Sequence, residues 1–224
     1  MRHCPKCGVP TPEDKEAKFC PNCGTYLSPS NFYEERMTVG IAFSEERKAV
    51  PLKRRIAVFS IVFILCLAMT SLGAMSKLDP SVAQDIKKDL DKQSEALEIV
   101  GVPLIFGNNL MHTMIMFVPG FGPFWGLLVL YNTGTVIAAV STVANPPMNP
   151  LMLFASLFIT PFAWMEYVSY SLAISESIWL IYATVKRRFK GLRDELATAS
   201  KLIAICAVVL LLAAIIEMVF ISSV

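Results

Sequence analysis

Polar and apolar positions alternate in long blocks along this chain rather than residue by residue. Ile56 to Met75 carries no charge, enough apolar helix to cross about 30 Å of hydrocarbon. From Val102 to Ala183 the only charged side chains are Glu166 and Glu176. Two breaker clusters, Pro119-Gly120-Phe121-Gly122-Pro123 and Asn145-Pro146-Pro147-Met148-Asn149-Pro150, divide that stretch. A last apolar block runs from Leu202 to Ile221, interrupted only by Glu217. The pattern predicts five transmembrane helices, near 56–76, 99–118, 124–144, 151–183 and 202–221. The fourth is too long for a simple crossing, since 33 residues make about 50 Å of helix. A helix kinked at Pro161 is the expected solution, and a break with re-entry is the other.

Between the first two spans the pattern becomes amphipathic. Asp79 can cap a helix and Pro80 suits its first position. Val82, Ile86, Leu90 and Leu97 then form one apolar stripe, predicting a helix over 80–98 whose plain role is to pack on the bundle, with lying on the membrane surface or gripping an extracytoplasmic partner as the alternatives. Basic residues mark sidedness. Lys53, Arg54 and Arg55 precede the first span, and Lys186, Arg187, Arg188, Lys190, Arg193 and Lys201 lie between the fourth and fifth. Five spans put both groups in the cytoplasm, with the 80–98 helix and the C-terminus outside the plasma membrane.

Composition agrees with the blocks: 54% of residues are hydrophobic and only 17% charged, against about 45–50% and about 25% in a soluble domain. A net charge of +2 gives no electrostatic case for nucleic acid.

Residues 1–25 are different. Cys4-Pro-Lys-Cys7-Gly and Cys20-Pro-Asn-Cys23-Gly each place two thiols across one tight turn, with Gly8 and Gly24 at the positive-φ position. Two such knuckles make a closed four-sulfur site, predicting a zinc ribbon with structural Zn²⁺ on Cys4, Cys7, Cys20 and Cys23. Two disulfides are the competing arrangement, disfavoured in the reducing compartment that the topology implies. So small a head cannot fold on its own apolar surface, so the metal is expected to supply the folding energy. His3 beside it reads as a bystander. Residues 26–50 read as a polar linker with short helical pieces, leaving 51–224 as the membrane domain.

Polar groups at membrane depth are costly and face a bundle interior or cavity. The candidates are Asn108, Asn109 and His112 in the second span, Asn132 in the third, Glu166 and Glu176 in the fourth, and Glu217 in the fifth. No Lys or Arg lies inside the spans to pair with the acids. Counting along continuous helices puts Asn132 and Glu166 at similar depth, Glu217 near the outer boundary and the acids at separate levels. Glu176 falls at an interface beside Trp179 and Tyr182. His112 is expected to hydrogen-bond an Asn, Cys66 and Cys206 to pack, and Gly126, Gly134 and Ala138 to permit close helix approach. Interhelical hydrogen bonding is the plain role for Glu166 and Asn132; a proton- or cation-sensitive site is the functional one.

Phe106-Gly107-Asn108-Asn109-Leu110, Leu130-Tyr131-Asn132-Thr133-Gly134, Thr160-Pro161-Phe162-Ala163-Trp164-Met165-Glu166 and Ala213-Ala214-Ile215-Ile216-Glu217 occur in that order. Together they resemble the stage II sporulation protein M family over roughly 50–224. The chain departs from the family's pattern at Phe162 and Ala163, where His and Gly are expected. A zinc ribbon on such a domain resembles archaeal members. In sporulating bacteria the resemblance implies a non-catalytic membrane partner of wall-remodelling proteins.

No His-Glu-x-x-His, Walker lysine or Gly-x-Ser-x-Gly motif occurs, so no enzyme is expected. The leading expectation is an all-α integral membrane scaffold whose ribbon docks a cytoplasmic protein partner. The alternative is a proton- or cation-linked transporter or channel using the intramembrane carboxylates, with a homodimer supplying symmetry.

Overall fold

The computed structural model describes residues 2–4, 6–11, 19–26, 50–185 and 192–223. Most of the expected linker, and Lys186, Arg187, Arg188 and Lys190 of the basic loop, lie outside them. The chain forms two compact units, Met1–Lys48 and Ala49–Val224.

In the first unit, β1 (Arg2–His3) pairs antiparallel with β2 (Pro10–Thr11), and Phe19 bridges to Tyr26.

The second unit is all-helical in its described residues. It runs α1 (Leu52–Ala74), α2 (Pro80–Val100), α3 (Val102–Met116), α4 (Gly122–Val143), α5 (Pro150–Leu157), α6 (Pro161–Val185) and α7 (Leu192–Ser222). Four of these, α1, α4, α6 and α7, are long and apolar enough to cross a membrane. This is the build of a multi-pass membrane protein.

Two expected spans take a different form. The second is divided at Gly101, whose φ of 71° closes α2. Beyond Gly101 the chain forms α3, with 15 residues and about 22 Å of rise. The fourth is not a kinked helix but two helices. The N–H groups of Phe158, Ile159 and Thr160 bond three residues back, to Ala155, Ser156 and Leu157, each at 3.1 Å. Pro161 then supplies no N–H to continue the ladder and turns Thr160 away from helical backbone. The chain doubles back: the Phe154 and Tyr167 rings lie 6.4 Å apart, where a straight helix would separate them by about 20 Å. The Phe158 ring seats on Tyr167 at 5.0 Å and on Trp164 at 5.1 Å. The Trp164 indole N–H donates to the Phe158 carbonyl at 2.8 Å.

Asn149 caps α5, accepting from the N–H groups of Leu151 and Met152. Asp79 stands at the cap position of α2 without that hydrogen bond, contrary to expectation, while Pro80 opens the helix as predicted. On α2, Ala83 is buried and Ile86, Leu90 and Leu97 are half-buried against the bundle, whereas Val82 is exposed.

Small residues let the helices approach closely. α1 crosses α4 at Gly73 and Gly134, where a Cβ on Gly134 would strike the Thr70 carbonyl and lie 2.7 Å from the Ala74 nitrogen. The nearest atoms to a Cβ on Gly126 would be those of the Ile174 side chain and, at 3.2 Å, the Met116 side chain. Gly134→Val is therefore expected to cost about 3 kcal/mol or more in a detergent unfolding titration. Gly126→Ala should cost clearly less, and equal losses would contradict this crossing. α6 lies at the centre, burying Ser169, Ser171, Ser175 and Ser177 along its length. Cys66 and Cys206 pack in the core as expected.

Candidate functional site

The four N-terminal cysteines come together through two copies of one knuckle. Cys4 N–H donates to the Val9 carbonyl and Gly8 N–H to the Cys4 carbonyl, both at 2.9 Å. Cys20 and Gly24 repeat the pattern toward Thr25 and Cys20, at 2.8 and 2.9 Å. Gly8 and Gly24 take φ of 70° and 66°, which a side chain would strain. The four sulfurs lie within 4.8 Å of one another, with Cys4–Cys23 at 3.6 Å and Cys7–Cys20 at 3.7 Å. A tetrahedral metal with bonds of about 2.3 Å needs sulfur edges of about 3.8 Å. The donor set therefore fits one metal ion, with all four positions taken by protein. Hydrogen bonds from the Thr25 hydroxyl and backbone N–H hold the Cys23 thiol down at about 6, favouring the thiolate that a metal requires.

In the membrane unit, the predicted polar residues regroup. Asn109 Nδ2 donates to Glu166 Oε1 at 2.5 Å. Asn132, the expected partner of Glu166, is instead exposed on α4. The depth count failed because the break at 158–160 restarts the helix, leaving Glu166 in the second turn of α6. Nor are the acids all at separate levels. Glu166 and Glu217 line one cavity of about 500 Å³ with Asn108 and Asn109, walled on the far side by Leu90, Gln93, Ser94 and Leu97 of α2. Among the described residues, no Lys or Arg lines it. His112 does not bond an Asn: its Nδ1 is buried without a partner among the described residues, and its ring lies 5.8 Å from that of Trp125. Phe162, where the resemblance expects His, faces Phe220 of α7 at 6.2 Å.

Glu176 does have a cation. Arg55 Nη1 donates to Glu176 Oε2 at 2.8 Å, and Arg55 Nη2 donates to Glu195 Oε2. The Glu176 side chain is 2% exposed. The Arg55 guanidinium lies 5.7 Å from the Trp179 ring, in cation–π range. This triad ties the first turns of α1 and α7 to the later half of α6. Sequence reasoning missed Arg55, one of three consecutive basic residues, and Glu195, outside every predicted span. It also missed the Thr70–Tyr167 hydroxyl pair, 2.7 Å apart between α1 and α6.

The contacts define two levels in the bundle. Arg55, Glu176 and Glu195 share one level, next to Ser177, whose hydroxyl donates to the Val118 carbonyl at 2.8 Å just after α3. Asn109, Glu166 and Glu217 share the other.

Among known proteins, no curated protein and no solved structure matches the chain. Residues 56–223, from the first turns of α1 to the end of α7, match the family described as Stage II sporulation protein M. The order of the four motifs and the extent of that match agree, and the chain belongs to the Stage II sporulation protein M family.

Proposed function

We propose that this protein is a non-catalytic membrane scaffold of the plasma membrane, whose N-terminal zinc ribbon docks a cytoplasmic protein partner. The observation that supports it most is the closed sulfur site: four cysteines converge, so a bound Zn²⁺ would stabilise the head and leave no coordination position for substrate. Cys4, Cys7, Cys20 and Cys23 are the ligands on this reading. The ribbon-bearing build resembles archaeal members of the family.

The sidedness this requires follows when α3 is counted as a fifth crossing beside α1, α4, α6 and α7. α3 connects the level of Asn109, Glu166 and Glu217 with the level of Val118 and Ser177, the same interval that α6 covers between Glu166 and Ser177. With α3 counted, the N-terminus is cytoplasmic and the C-terminus outside. The test is proximity labelling in native membranes with the full chain and with Cys20→Ser. A partner labelled by the intact chain and lost in the variant supports docking. Labelling unchanged by Cys20→Ser contradicts it.

One observation favours a second reading, a proton- or cation-linked transporter. Two carboxylates face a cavity with amide and hydroxyl groups and no basic residue among its described lining side chains. On that reading Glu166→Gln and Glu217→Gln, with folding intact, reduce proton- or cation-coupled flux in liposomes at least tenfold. Absence of such flux in the unaltered protein excludes it and leaves the scaffold.

A further inference from the structure

α4 carries one polar group that the fold leaves unserved at membrane depth. Asn132 stands midway along Gly122–Val143, with about 15 Å of helix on either side, which is the centre of a hydrocarbon core of about 30 Å. Its side chain is exposed and makes no hydrogen bond among the described residues. Its polar neighbours on α4 are all served. The Tyr131 hydroxyl pairs with that of Ser76 at 3.1 Å, and Thr133 and Thr135 donate to the Val129 and Tyr131 carbonyls at 3.0 and 3.1 Å. Acyl chains offer neither donor nor acceptor, so an amide at this depth calls for a protein partner. Phe121, Phe124 and Leu128, at helical spacing, continue the exposed stripe from Asn132 toward the start of α4.

We propose that this face of α4 binds a second copy of the chain, about a twofold axis along the membrane normal, with the two Asn132 amides hydrogen-bonded to each other. Depth argues for a copy over any other occupant. Two identical chains threaded the same way hold their Asn132 side chains at the same level, whereas an unrelated helix would need its own polar group there. The chemistry is self-complementary as well. A side-chain amide both donates and accepts, so each can give one N–H and take one, as a twofold contact requires. α4 contains no charged residue, so nothing on the face repels its own image. The apolar stripe supplies the packing on either side of the amide pair. The inference needs only that α4 crosses the membrane and is independent of what the ribbon docks.

The experiment uses the full chain in phosphatidylcholine liposomes at falling protein-to-lipid ratio, with subunits counted by single-molecule photobleaching. Dimers are expected, and Asn132→Leu should weaken them about tenfold, the effect of two lost interhelical hydrogen bonds. A photoreactive benzoylphenylalanine in place of Leu128, one turn from Asn132, should give covalent dimer at least fivefold above the same group in place of Val208, which is exposed on α7. Monomers at every ratio, dimers unmoved by folded Asn132→Leu, or covalent dimer from position 208 as readily as from 128 would overturn the proposal. So would crosslinking from position 128 in native membranes to a different protein with none to a second copy. Should Asn132→Leu fail to fold, the ranking of positions 128 and 208 with Asn132 intact decides alone.

Discussion

Arg55→Ala should destabilise the membrane unit by about 3–5 kcal/mol, the usual effect of removing one partner from a buried ion pair. The reason is local. Glu176 is 2% exposed, and Arg55 is its only hydrogen-bond partner among the described residues. Without the guanidinium, neither Glu176 oxygen has a donor there, and Glu195 loses the donor that links it to α1. Arg55→Lys should rescue only part of the loss, because one ammonium lacks the planar fork that serves two carboxylates at once. Glu176→Gln combined with Arg55→Ala should recover stability relative to Arg55→Ala alone, since the charge is gone. Unfolding in mixed detergent micelles, followed by tryptophan fluorescence, measures each. Arg54→Ala, from the same basic cluster, is the control and should move the midpoint little. If Arg55→Ala and Arg54→Ala behave alike, the triad does not hold the helices together.

Metal removal should have the larger effect on the other unit. Structural zinc in small domains is bound with about 10–16 kcal/mol at neutral pH, far more than so small a head can supply by apolar burial. Chelation, or Cys20→Ser, is expected to abolish hydrogen-exchange protection at the N–H groups of Cys4, Gly8, Cys20 and Gly24 and to release one ion per chain. Acid should do the same. The Cys23 thiol sits at about 6, below its usual 9.0, because Thr25 hydrogen-bonds the sulfur. A group with a depressed folded value contributes stability above its unfolded value and loses it as pH falls through the folded one. Metal retention should therefore hold at pH 8 and fall as the pH is lowered, because the metal needs deprotonated thiolates and protons compete for them. Protection that survives chelation would mean the knuckles stand without a metal.

How much of this was legible in the residues depends on the range of the interaction. The knuckles were readable because both thiols of each pair and the turn glycine lie within five residues. α1, α4, α7 and the amphipathic α2 were readable because apolar periodicity is local. The break at 158–160 was not, because Pro161 is compatible with a kink or a stop. Packing of Phe154 and Phe158 on Tyr167, from a helix folded back, accompanies the stop. That single error propagated: depth counted along a continuous helix matched Glu166 with Asn132 and separated it from Glu217. Arg55 was hidden for another reason. Three adjacent basic residues look alike in sequence, and only the helical phase of α1 turns one of them toward α6 and α7.

On the proposed topology the bundle threads the membrane an odd number of times, with α3 as the crossing that length alone does not reveal. The ribbon's own thiols near position 25 and a cysteine placed at Ser223, in a background with Cys66 and Cys206 replaced and the labelled positions read by peptide mapping, can be probed in intact cells with a membrane-impermeant maleimide. Labelling is expected at position 223, and none at the ribbon thiols until the cells are opened. Labelling of both positions, or of neither, in intact cells would mean an even number of crossings and would contradict this topology.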